Sequence, residues 1–143
     1  MAVILTLAVA CVAIIVFNNN NNHGAKYMVS FNDPETGVKE WIDAVNEKNI
    51  VRVYDLAPDE VKGKRTLDQF KGENTNNILF GEGNYLHNYS LLNKTQNGTY
   101  AQIIAQIFLH QQDNQGMDHE IPIFYKFALF YEHGEWKIWT INF

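Results

Sequence analysis

Residues 99–111 read TYAQIIAQIFLHQ. Ala101, Ile103, Ala105, Ile107 and Leu109 recur at every second position, and in an extended chain alternate side chains share one side of the sheet. Tyr100, Gln102, Ile104, Gln106 and Phe108 fall on the other side. A helix would scatter both sets around its axis, so the period of two predicts a strand with one wholly apolar face and one mixed face. The apolar face has to be covered by another layer. The mixed face, apolar at Ile104 and Phe108 but carrying two glutamines, suits the lining of a cavity or the meeting of a partner.

The same period extends to both sides of this stretch. Residues 85–92 form a preceding strand, and Asn97-Gly98 between the two suits a type I′ turn. Downstream, the loop 112–117, with Asn114-Gln115-Gly116 as turn residues, leads to a strand over 120–131. His133-Gly134 makes a tight turn into a last strand, 135–143, in which Trp136 and Ile138 oppose Trp139 and Ile141. Strands that follow one another through short connections pair antiparallel. Upstream the period becomes helical. Asp33 or Thr36 caps a helix running to about Asn49, with Val38, Trp41, Ile42 and Val45 on one side at spacings of three and four. Trp41 is its packing anchor. Shorter helical pieces are expected over 50–56, after Pro58 with Asp59 and Glu60 in the first turn, and after Thr66. The fold class read from the chain is α+β: N-terminal helices packed on a curved antiparallel sheet of about four strands.

Residues 2–17 carry no charge and are followed at once by five asparagines, Asn18 to Asn22. Sixteen helical residues would span roughly 24 Å, a little short of the hydrocarbon core of a bilayer. The segment is therefore expected to be a membrane anchor or a signal segment. Ala8-Val9-Ala10 resembles a cleavage site, and with Cys11 the stretch Leu7 to Cys11 resembles a loose lipobox. The apolar run from Val12 to Phe17 favours an uncleaved anchor, since a cleaved chain would expose it to water. Three regions follow: 1–17 as anchor or signal, 18–32 as an Asn-rich linker, and 33–143 as the α+β domain, placed outside the cytoplasm. Cys11 is the one cysteine, so no intrachain disulfide supports that domain. The formal charge is -5, with Lys and Arg scattered and no basic stripe, which excludes a nucleic-acid surface.

Helical segments followed by long strands, with Trp41-Ile42-Asp43-Ala44-Val45, Tyr54-Asp55-Leu56-Ala57-Pro58 and the closing Gly134-Glu135-Trp136-Lys137-Ile138, resemble the nuclear transport factor 2-like superfamily, a cystatin-like, cone-shaped α+β fold. The resemblance spans about residues 37–143. It is similar most closely to small exported or membrane-anchored members of unknown function. It implies a cone whose interior holds polar or acidic residues in the enzymes of the superfamily; Gln102, Gln106 and Tyr125 are the inward candidates here. The superfamily includes isomerases, hydratases and modules that only bind, and its members often self-associate through the sheet, so the fold alone assigns no chemistry.

Residue chemistry narrows the choice. Asp118-His119-Glu120 is the densest group of potential ligands, yet adjacent residues of a strand point to opposite faces, which separates His119 from the two acids around any one metal. No metal-ligand set and no cofactor are assigned. His87, His110 and His133 would serve as a base only with a carboxylate beside them. Gly81-Glu82-Gly83 lacks the lysine and helix of a phosphate loop and reads as a turn. Asn88, Asn93 and Asn97 each head an Asn-x-Ser/Thr triplet and are candidate glycosylation acceptors on an exported chain, with Asn97 better explained by the turn.

The reading that follows is a non-enzymatic, membrane-tethered module that binds a small apolar ligand or a protein. Gln102, Ile104, Gln106, Phe108, Tyr125 and Phe127 are the pocket candidates, the two glutamines orienting a ligand by hydrogen bonds among apolar walls. The alternatives are a small-molecule isomerase or hydratase using His87 or Asp118, and a self-associating homodimer.

Overall fold

The computed structural model describes residues 32–142. The apolar segment 1–17, the linker as far as residue 31, and Phe143 lie outside the described residues.

Short-range hydrogen bonds set the helix boundaries. Helix α1 (Glu35–Asn46) begins where the Asp33 carboxylate accepts the Glu35 N–H at 2.9 Å and the Thr36 hydroxyl donates to the Asp33 carbonyl at 2.7 Å. The N-cap position itself falls on Pro34, which offers no side-chain cap, so Asp33 serves the first helical N–H from one residue further out and Thr36 caps none. The helix stops short of Asn49 because Lys48 takes a left-handed φ of 56° and Asn49 itself caps the next helix, accepting the Arg52 N–H at 3.0 Å. Helix α2 (Ile50–Asp55) follows, then α3 (Asp59–Lys62) behind Pro58. Helix α4 (Leu67–Asn74) opens on a capping box in which Thr66 and Gln69 satisfy each other's backbone N–H. A 3-10 turn, Ile78–Phe80, leads to the sheet.

Strands β1 (Tyr85–Asn97), β2 (Tyr100–Gln112), β3 (Asp118–Glu132) and β4 (Glu135–Asn142) form one antiparallel sheet in the order β1-β2-β3-β4. The α+β class expected from the periods is the class observed. His133 and Gly134 both take positive φ, 52° and 84°, as the tight β3–β4 turn requires. The β1–β2 turn lies one residue further on than expected. Asn97 pairs with Tyr100, so the loop is Gly98-Thr99, with glycine leading at φ 60° in the manner of a type II′ turn.

Helix α1 covers the face of the sheet that carries the odd-numbered residues of β2. Ala101, Ile103, Ala105, Ile107 and Leu109 are buried, as are Val38, Trp41, Ile42 and Val45 of the helix. Trp41 stands edge-on to Tyr125 and Phe127, with ring centroids 5.7 and 5.5 Å away. The helix reaches the sheet at Gly37, where a Cβ would lie 2.7 Å from the Trp136 carbonyl oxygen and 2.9 Å from the Trp136 Cβ. Backbone cannot yield there as a flexible side chain would. Gly37→Ala is therefore expected to destabilise the domain by about 1–3 kcal/mol, read as a lower urea midpoint; an unchanged midpoint would show that α1 has room to lift.

The helical layer meets each outer edge of the sheet at one place. At β4, the Ile138 N–H donates to the Leu56 carbonyl at 2.7 Å and the Lys137 ammonium to the Asp55 carbonyl at 3.0 Å. At β1, the Asn46 side chain binds both backbone groups of Leu86, donating to its carbonyl at 2.9 Å and accepting its N–H at 2.7 Å. Such contacts blunt the strand edges that would otherwise pair with other chains. No helix among the described residues is long and apolar enough to cross a membrane.

Candidate functional site

The opposite face of the sheet is left open. Tyr100, Gln102, Ile104, Gln106, Phe108 and His110 of β2 lie on it, each half-buried by its neighbours or exposed. Register places Phe124 opposite Gln106, Pro122 opposite Phe108 and Lys126 opposite Ile104, so these residues of β3 share that face. Phe124 is 57% exposed, more than any other aromatic side chain among the exposed apolar residues described. Apolar atoms this open, side by side on two strands, form a contact surface rather than scattered single exposures.

At one end of this face the chemistry changes. His110 lies opposite both Tyr85 on β1 and Glu120 on β3, so the three side chains form one rung across the sheet. Tyr85 stacks on the His110 ring at 4.5 Å with 17° between planes. The Glu120 carboxylate lies between two imidazoles: one oxygen meets His110 Nδ1 at 2.7 Å and the other meets His87 Nε2. Asp118 Oδ1 is 3.5 Å from His110 Nε2. The hydrogen bond from His110 leads the effects that hold Glu120 below the usual carboxylate range, the His87 contact adding to it and desolvation opposing it.

The irregularity of β1 decides which of its residues meets His110: regular pairing from Asn97 and Tyr100 would set His87 opposite it, and the bulges set Tyr85 there, with His87 one rung away beside Phe108. One extra residue is accommodated between His87 and Ser90, where Asn88 takes a φ of 52°, and another between Leu91 and Asn93. Each bulge reverses which residues face outward, and together they shift the pairing of Tyr85 and His87 by two positions along β2. His119 turns to the other side and meets Asp113 Oδ2 at 2.9 Å, in the β2–β3 loop that Asp113 organises by accepting the N–H groups of Gln115 and Met117. The separation of His119 from Asp118 and Glu120 expected from strand alternation is what the register produces.

The six pocket candidates do not come together. Gln102, Ile104, Gln106 and Phe108 lie on the open face, whereas Tyr125 and Phe127 are fully buried on the helical face. The pairing of Tyr125 with Ala105 and of Phe127 with Ile103 settles this, since directly opposed residues share a side. A single pocket lined by all six is corrected to two separate environments, and on the helical side Trp41 takes up the space beside Tyr125 and Phe127. Two surface hollows, of about 310 and 350 Å³, lie elsewhere. The first is lined by Glu40, Asp43, Ala44, Glu47 and Arg52, and the second by Val61, Lys64, Arg65, Trp139 and Thr140. Neither touches any of the six.

The acceptor asparagines Asn88, Asn93 and Asn97 are all exposed. Asn93 is opposite Ile104 and Asn97 opposite Tyr100, so both stand on the open face. A glycan on Asn93 would cover Ile104, which makes sugar and a docked partner mutually exclusive there.

Neither protein-family models nor curated proteins match the chain.

Sequence reasoning missed Tyr85, His110 and Glu120 as one group, although part of the signal was present. A β2–β3 turn centred on Gln115 sets residues equally distant from it opposite each other, and His110 and Glu120 are such a pair. A turn at Asn97-Gly98 likewise sets Tyr85 equally distant with His110, but the turn falls one residue later, and nothing in residues 85–97 marks the two bulges that restore this pair.

Proposed function

We propose that the chain is a non-enzymatic, membrane-tethered module outside the cytoplasm, of nuclear transport factor 2-like type, that works by docking a protein on the open face of its sheet. The observation that carries this reading is the contrast between the two faces. The helical face is filled by Trp41 and its neighbours, while Phe124, Ile104, Phe108 and Tyr100 remain uncovered on the other. An open surface of this kind suits a macromolecule better than a small ligand, which needs concave walls on most sides. The apolar centre would supply binding area, and Gln102 and Gln106 would supply hydrogen bonds that fix register.

A second copy of the chain is the partner favoured by the order of charges along β3. Along the open face of β3, Asp118 and Glu120 precede Pro122 and Phe124, and Lys126 follows them before the face continues to Phe130. A two-fold axis lying in the interface near Pro122 would reverse this order in the second copy and set Lys126 against Asp118, the self-complementarity a symmetric contact requires.

Photo-crosslinking tests both statements. A benzoylphenylalanine replacing Phe124 in the full chain is expected to give a protein adduct in the membrane fraction, and one replacing Lys71 on the far helix is expected to give none. An adduct of twice the chain mass identifies the second copy. Equal labelling from both positions, or a full-length chain found wholly in the cytosol, would overturn the proposal.

A further inference from the structure

We propose that His110 and Asp118, at the Tyr85 end of the open face, bind a divalent transition cation of the zinc type, with Glu120 and His87 holding the ligand ring in place. A neutral imidazole has one N–H to donate and one lone pair to offer. His110 Nδ1 lies 2.7 Å from Glu120 Oε1, a contact in which the ring donates. In the neutral ring that leaves a lone pair on Nε2, which faces Asp118 Oδ1 at 3.5 Å. Two acceptors so placed are bridged by a proton or by a metal cation. The separation is long for a good hydrogen bond, but it is close to the edge of a tetrahedron built on ~2.0–2.1 Å bonds, about 3.4 Å.

The surroundings of the ring are those of a metal ligand. An imidazole that binds a metal through one nitrogen characteristically donates the other N–H to a carboxylate, which sets its tautomer and orientation. Glu120 occupies that position, and its second oxygen is held by His87 Nε2. Tyr85 stacked on the ring at 4.5 Å restricts the remaining rotation. Gln112 donates to Asp118 Oδ1 at 3.3 Å and orients that carboxylate from the side. All of these side chains stand on strands, where ligand geometry is rigid. Water fills the other coordination positions, so the site is open and of modest affinity.

Charge distinguishes this cluster from a second one. Among the described residues, the ion pairs of Asp118 and Glu120 are with histidines alone. Within one chain the two acids therefore have no permanent cation beside them, and zinc and the Lys126 of a docked second copy would compete for Asp118. Asp59, Glu132 and His133 also place three donor atoms within 4.8 Å of one another. There, however, Lys62 already pairs with Asp59 at 3.2 Å, and Glu132 is engaged by the Asp59 N–H at 3.0 Å. A cation is already present at that corner.

Zinc titration of the full chain in detergent, followed by calorimetry near neutral pH, tests the assignment. One saturable site is expected. His110→Ala is expected to abolish it, and Asp118→Asn to weaken it at least tenfold. Glu120→Gln, which keeps the shape of the side chain but removes its charge, is expected to weaken it by about 10–100-fold. His133→Ala is expected to leave it unchanged. Circular dichroism on each variant separates loss of the site from loss of the fold; Asp118 is exposed, and His110, although 16% exposed, lies on the open face outside the helical core. No saturable binding up to millimolar zinc, leaving a proton as the occupant between Nε2 and Asp118, would overturn the proposal. So would a site lost in His133→Ala and kept in His110→Ala.

Discussion

Replacing Trp41 by alanine is expected to lower the unfolding free energy of the domain by about 3–5 kcal/mol. The indole is 5% exposed and lies between α1 and the sheet, edge-on to both Tyr125 and Phe127. Its removal takes away the transfer free energy of a large ring and leaves a cavity that two aromatic residues fixed on one strand cannot close. The two edge-to-face contacts add about 0.5–1.5 kcal/mol each beyond the area buried. Against a total stability of roughly 5–15 kcal/mol for a domain, this single change decides whether the protein stays folded at physiological temperature. Urea unfolding followed by tryptophan fluorescence measures it. Trp139→Ala provides the contrast, because that ring is 37% exposed at the rim of the sheet; a loss of well under about 1 kcal/mol is expected there. Equal losses at both positions would remove Trp41 from its place as the anchor of the core.

Asn46→Ala is expected to cost about 2–4 kcal/mol, although the residue is only partly buried. Its amide acts as the outer partner of β1, giving Leu86 the two hydrogen bonds that a neighbouring strand would otherwise supply. Alanine leaves a backbone donor and a backbone acceptor without partners beside a buried leucine. The unpaired edge also becomes open to other chains, so the same variant is expected to aggregate at lower denaturant than the parent. Hydrogen exchange gives the most direct measurement: the Leu86 amide should lose protection in Asn46→Ala and keep most of it in Asn46→Asp, which retains the acceptor. Full protection of Leu86 in both variants would show that water replaces the side chain without penalty.

These two residues illustrate what a linear reading reaches. Trp41 is legible, because its spacing with Val38, Ile42 and Val45 marks it as an inward residue before any coordinates are considered. Asn46 is not, because its partner is forty positions away and an asparagine near a helix end reads as an ordinary cap. The candidate face divides in the same way. Gln102, Ile104, Gln106 and Phe108 were grouped correctly by their alternation within one strand. Tyr125 and Phe127 were joined to the wrong side, because alternation within β3 says nothing about which of its sides matches which side of β2 until the register is known. The β1–β2 turn was misplaced by one residue for a related reason: Asn97-Gly98 and Gly98-Thr99 are both acceptable to a two-residue loop, and pairing further along the hairpin selects between them.

Local chemistry alone was enough to specify the succession of helices and strands, the Thr66 cap, the His133-Gly134 turn and the apolar side of residues 101–109. Each rests on interactions within a few positions of the chain, whose energy does not depend on the rest of the molecule. The meeting of Tyr85, His87, His110, Asp118 and Glu120 depended on long-range pairing. It rests on the in-register β2–β3 ladder and on the β1–β2 pairing, in which the two bulges set Tyr85 rather than His87 opposite His110. A one-residue slip in a sheet reverses every side chain on the strand, so burial of the whole core, rather than any short stretch of residues, selects the arrangement that brings these five onto one surface.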